Sequence, residues 1–302
     1  MALLHLHQRK FETAAAALVP LLALVLSACG AATKPPETGR PRAGGVPYPV
    51  TLAASEERRQ GAIAAWATIV SAQATPQPTP ELRPVTATLV SLPANLAAPV
   101  RMPKVVIQDE NELSEEEIRE SLRRFISTAA PLLGVSTGEL SLVGVTEVAG
   151  SPNVRRALYR QNPFLHPLRN GYGDVEVVFT TPDLVVTGLS STAVPDAERL
   201  RRALSAVTQQ VNAQAASSSL ANRAVVFRDR AGVEQTRTIA AAEQVSAREL
   251  VVFPVRAASD PATLELRLAW ELAAGTPTAP LLVYVDAVTG EQLGAAEGAP
   301  AG

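Results

Sequence analysis

Leu264, Leu266, Leu268, Trp270 and Leu272 alternate without a fault against Glu265, Arg267, Ala269 and Glu271. A repeat of two is the signature of a β-strand, whose successive side chains point to opposite faces. The first set is expected to face a core and the second water, because a one-residue slip would exchange them. Leu281–Asp286 reads as the antiparallel partner, and Asp286-Ala287-Val288-Thr289-Gly290 as the turn that leaves the sheet. This commits the last third of the chain to a sheet.

A second sheet is expected upstream. Four β-like runs cover Glu139–Val148, Arg155–Gln161, Tyr172–Thr181 and Leu184–Leu189, with Thr181-Pro182-Asp183 as a tight turn. Before them lies a helix opened by Ser114 and Glu117, the capping-box pair, with Ile118, Leu122, Phe125, Ile126 and Ala129 on one stripe. Pro131 and Gly134 are expected to end it. Residues 113–194 therefore form one α+β unit, and 223–294 a second, joined by a connector helix over 195–222 with Leu200, Leu204, Val207 and Val211 in line. A hairpin at 224–238 and a short helix over 239–248 open the second unit. The two units share a plan, helix then antiparallel strands, which fits a duplication. Residues 55–112 hold a helix with Ile63, Trp66 and Val70 on one face, a proline-rich break at 74–80, and two short runs that fit no assigned sheet. Residues 295–302 are expected to be a disordered tail.

The amino end reads differently. Arg9 and Lys10 precede an apolar run from Ala14 to Leu26, shorter than the ~20 residues of a membrane span, and Leu26-Ser27-Ala28 leads directly into Cys29. That pattern is a lipobox at the end of a secretory signal, residues 1–28. It predicts acylation of Cys29, palmitate-type chains included, at ~0.8 kcal/mol per buried methylene. Residues 29–54, rich in Gly, Pro, Ala and Thr, are then a flexible tether. The protein is expected to be exported and held on the cell membrane or outer membrane, the latter favoured weakly by Gly30 in place of aspartate.

Composition narrows the chemistry. The chain has one cysteine and three histidines, two of them in the signal, so only His166 remains in the mature part. With Cys29 acylated, no thiol remains for disulfides or thiolate catalysis, multi-histidine metal sites are excluded, and no cofactor is expected. A net charge of −2 gives no case for nucleic acid. An enzyme would have to work with carboxylates alone; Asp174, Glu176, Glu265 and Glu271 are the candidates, but alternation already explains each as a water-facing residue. The acidic run from Asp109 to Glu120 lacks calcium-loop spacing and reads as a solvated helix cap.

Leu268-Ala269-Trp270-Glu271, followed by Val283-Tyr284-Val285-Asp286-Ala287-Val288-Thr289-Gly290-Glu291, resembles a PepSY domain, over residues 239–294. Such domains occur in the propeptides of thermolysin-like metallopeptidases. Residues 113–194 faintly resemble the companion propeptide fold, with Phe164-Leu165-His166-Pro167-Leu168 where that fold has Gly-x-Pro-Val. No catalytic domain follows, so the resemblance implies binding: docking on a peptidase to inhibit it or assist its folding, or another protein contact, through an exposed sheet face or edge. Trp270, Glu271, Tyr284, Asp286 and Gly290 would be structural, with Asp286 bonding turn amides and Gly290 supplying a positive φ. The alternative is an envelope or cell-wall-binding lipoprotein, with Arg155, Arg156, Arg160 and Arg169 meeting anionic polymer.

Overall fold

The computed structural model describes residues 47–71, 78–105, 113–162, 164–229, 231–276 and 279–298. The signal, the lipobox (Leu26, Ser27, Ala28), Cys29, the tether up to residue 46 and the run Asp109–Glu112 lie outside them. The tether reading fails at its end. Val50–Ala53 forms strand β1, with Val50 and Leu52 buried and Thr51 and Ala53 exposed. Period-two alternation decides this segment despite its proline-rich surroundings.

Helix α1 (Glu56–Ile69) is capped by Ser55, whose hydroxyl accepts from the Arg58 amide at 3.3 Å. Its Trp66 is buried and donates from Nε1 to the Pro78 carbonyl at 2.7 Å. Helix α2 (Glu115–Leu133) carries the full capping box: Ser114 Oγ accepts from the Glu117 amide, and the Glu117 carboxylate accepts from the Ser114 amide. Pro131 does not end it, since the carbonyl it leaves unbonded belongs to solvent-exposed Ser127. The stop is Gly134, at φ +70, where an added Cβ would stand 2.5 Å from the Thr88 methyl.

Both helices cover one face of an antiparallel sheet built from β2 (Val100–Arg101), β3 (Leu140–Val148), β4 (Ser151–Gln161), β5 (Asp174–Thr180) and β6 (Val185–Ser191). The order is β2-β6-β5-β4-β3. Val175, Val177 and Phe179 point inward against Trp66, Leu122, Phe125 and Ile126. Of the two runs left unassigned, Val100–Arg101 pairs with β6.

The connector is not one helix. Helix α3 (Ala197–Ser205) stops, and α4 (Ala213–Ser218) restarts at the Asn212 cap. Between them the Gln210 and Val211 amides donate to the Ala287 carbonyl, a tertiary pull that outweighs the helical stripe. The second sheet holds β7 (Ala224–Arg228), β8 (Glu234–Thr238), β9 (Val245–Arg256), β10 (Thr263–Thr276), β11 (Ala279–Asp286) and β12 (Gln292–Glu297). Its order is β1-β10-β11-β12-β7-β8, with β9 on the other edge of β10. The helix expected at 239–248 is absent: a turn at Ala240–Glu243 leads into β9, because β10 is long enough to pair as far as Val245. With it goes the shared helix-first plan of the two units. The tail reading also shortens, since Gln292–Glu297 pairs with β11; residues 299–302 lie outside the described set.

The fold is α+β, with two sheets, and residues 44–302 form one compact unit. One face of the second sheet buries Leu264 and Leu266 against Val50, Leu52 and Leu200, and Leu272 and Val283 against Ala216 and Leu220. The opposite face carries a smaller cluster of Val251, Phe253, Ala269 and Tyr284. The Phe253 and Tyr284 rings sit 4.5 Å apart. This second face is therefore not simply wet, and Glu271, read as water-facing, is buried. Among the described residues no helix is long and apolar enough to cross a membrane.

Candidate functional site

The edge of β10 changes hands part-way along. β1 pairs with Thr263–Leu266, and β11 with Ala269–Thr276. The Leu268 amide falls in the gap, and the Tyr48 hydroxyl fills it, accepting from Leu268 N at 3.2 Å while donating to Asp286 Oδ2 at 2.9 Å. Asp286 is fully buried and saturated. Its Oδ1 accepts from the Val288 and Thr289 amides at 2.8 and 2.9 Å, and its Oδ2 also faces Arg267 Nη1 at 3.3 Å. Gly290 closes the turn at φ +75, its amide on the Asp286 carbonyl. Arg267 in turn holds Glu265 and Glu291 at 2.7 and 3.0 Å.

A second network lies up the same face. Glu271 is only 2% exposed, and Oε2 receives Arg169 Nε at 2.7 Å and the Tyr284 hydroxyl at 3.3 Å. Arg248 reaches Oε1 at 3.4 Å, because the β9–β10 register slips between Glu271 and Leu272 and re-aims it. Arg169 also pairs with Glu249. It arrives on the loop after β4, whose Leu168 bridges β9 at Val252. Burial opposes the Arg169 charge, but the Glu271 hydrogen bond and charge outweigh it and raise its pKa. Trp270 points the other way, donating from Nε1 to the Val211 carbonyl at 2.8 Å, an acceptor free only because the connector helix is broken there.

The remaining candidates disperse. Asp174 pairs with Arg160 and Glu176 with Arg156 on the outer face of the first sheet, so every candidate carboxylate has an arginine partner. The proposed arginine cluster disperses as well, since Arg169 belongs to the second sheet's network. Among the described residues no group of three His, Asp or Glu side chains converges on a metal position. Burial lowers the His166 pKa, opposed by the Glu249 charge. What this arrangement does is hold a sheet together: paired, hydrogen-bonded charges offset the desolvation that isolated ones would suffer. Tyr48, Arg169 and Arg267 were missed as members of these networks. Only the alternation of Val50 and Leu52 could have flagged the first.

The tyrosines supply a test. Burial, then the Glu271 charge, pushes the Tyr284 hydroxyl up to about 12; burial alone takes Tyr159 to about 12. Tyr48 is raised further by burial and by Asp286. A raised folded pKa contributes stability that is complete below the unfolded value of about 10 and is lost as pH rises through the folded one. Titration at 295 nm should therefore show these three ionising together with unfolding near pH 12. Full ionisation at pH 10.5 with the fold intact would refute the burial.

No protein-family model matches the sequence, and no curated protein matches it. Among solved structures the chain is similar to the Bacillus megaterium YpeB C-terminal domain, at 9% identity and a TM-score of 0.29, over 81% of this chain and 98% of that one. A likeness of that size carries no argument.

Proposed function

We propose that this is an exported, lipid-anchored cell-envelope protein whose PepSY-like C-terminal part binds another protein, a secreted peptidase being the partner class the resemblance favours. One observation carries the anchoring: the chain's single thiol, Cys29, stands directly after Leu26-Ser27-Ala28 at the end of an apolar run. The binding role is supported by the motif residues. Glu271, Tyr284, Asp286 and Gly290 bond one another or the backbone, which suits a rigid sheet offered to a partner better than a reaction centre. The cell-wall alternative has less support, because Arg156, Arg160 and Arg169 are already engaged by carboxylates.

Expressed in a bacterium, the wild type should partition into detergent and take up an alkyne-labelled fatty acid, and Cys29→Ser should do neither. A Cys29→Ser protein that still sediments with membranes overturns the anchor. Purified residues 44–302 should slow, or promote the refolding of, a secreted peptidase from the same organism. Failure against every such peptidase removes that partner class.

A further inference from the structure

Most strand edges in this fold are guarded. β1 is four residues long and its Ala53 carbonyl takes the Arg58 guanidinium, and β9 is bonded by the Pro167–Arg169 segment. β2 is two residues long, and β8 carries Glu234 and Arg237. β3 is different. It runs nine residues, pairs only with β4 among the described residues, and bears one charge, Glu147, near its far end. Natural sheets seldom leave so long and uncharged an edge without a use.

The register identifies which groups are open. The Asn162 amide donates to the Glu139 carbonyl, and Leu140 and Leu142 face Gln161 and Tyr159. By antiparallel alternation the amides and carbonyls of Leu140 and Leu142 point away from β4; the Leu140 amide already donates to the Thr137 carbonyl, so the open groups are the Leu142 amide and the two carbonyls. A bulge follows at Val143, which is 56% exposed, so the usable edge is the stretch before it. Beside that stretch, between β3 and α2, runs a groove of about 240 Å³ with Ile126, Leu140, Leu142 and Tyr159 as its floor and walls. Among the described residues its only charged lining side chains are Arg119 and Arg123. Both side chains are 62% exposed, and their existing partners, Glu115 and Glu120, are on α2 itself. Pairs at such exposure are worth ~0.2–1 kcal/mol, and a guanidinium has donors to spare.

We propose that this seam takes an extended segment of a partner protein, added as a sixth strand beside β3, with an acidic side chain among apolar ones. The backbone of that segment donates to the Leu140 and Leu142 carbonyls and accepts from the Leu142 amide, an apolar side chain covers the groove floor, and a carboxylate meets Arg119 and Arg123. This deepens the protein-binding reading above and rests on it for the partner, though the seam lies on the first sheet, away from the PepSY-like motif.

The test uses the full chain in detergent and a fluorescein-labelled nonapeptide of alternating valine and glutamate, with a valine–lysine twin. Anisotropy should show the glutamate peptide binding at least tenfold more tightly than the twin. R119E/R123E should reverse that order, and hydrogen exchange should show the Leu142 amide newly protected. If the double variant does not fold, the twin comparison and the exchange pattern on wild type still decide. Equal binding of both peptides, no binding, or protection elsewhere overturns the proposal. So does concentration-dependent protection of that amide without peptide, which would make the occupant a second copy. A peptidase slowed equally by wild type and R119E/R123E sinks the seam and spares the broader function; peptide binding with no peptidase affected does the reverse.

Discussion

Asp286→Ala should destabilise the protein by ~3–5 kcal/mol, the range for removing one partner of a buried, hydrogen-bonded charge pair. The reason is what the carboxylate leaves behind. Arg267 loses a buried acceptor, the Tyr48 hydroxyl loses its own, and two turn amides are orphaned together. Tyr48→Phe isolates one of these contacts and should cost only ~1 kcal/mol, plus whatever the unsatisfied Leu268 amide adds. Urea denaturation followed by tryptophan fluorescence measures both, since Trp270 reports on the same strand. An Asp286→Ala protein within 1 kcal/mol of wild type would mean that the network does not hold the turn.

Starting the chain at residue 55 should be more damaging still. It removes β1, exposing Leu264 and Leu266 to water and leaving the first half of one β10 edge unpaired. Leu52 is 1% exposed and Val50 5%, and burying such side chains stabilises by ~1.5–3 kcal/mol each. Adding the lost ladder and the Tyr48 bonds takes the total towards the ~5–15 kcal/mol that an ordinary domain possesses. The fragment 55–302 should lack a cooperative thermal transition, while 44–302 keeps one. A calorimetric trace with matching transitions for the two fragments would refute it.

These two expectations also mark what could be read without coordinates. The alternation at Leu264–Leu272 placed β10 correctly, because local pattern and tertiary role agree there. The Ser114–Glu117 box did the same for α2. Where tertiary contacts override local preference, sequence reasoning failed. Ile239–Arg248 has helical composition, but β10 offers it a ladder, and the connector stripe from Leu200 to Val211 gives way to the Ala287 carbonyl. Glu271 was assigned to water because alternation names a face without saying what lies over it; Arg169, 102 residues earlier in the chain, is what does. The groove beside β3 had no local signal at all, since edge status belongs to the sheet and not to any strand within it.

The seating of Tyr48 and β1 has a mechanical meaning. Tension reaching the body from its amino-terminal side is delivered at Tyr48, directly ahead of a strand running antiparallel to the longest one among the described residues. Hydrogen bonds across such a pair lie perpendicular to the strands. A tug along their axis is therefore shared by all of them at once, as in a shear joint, instead of opening them singly like a zipper.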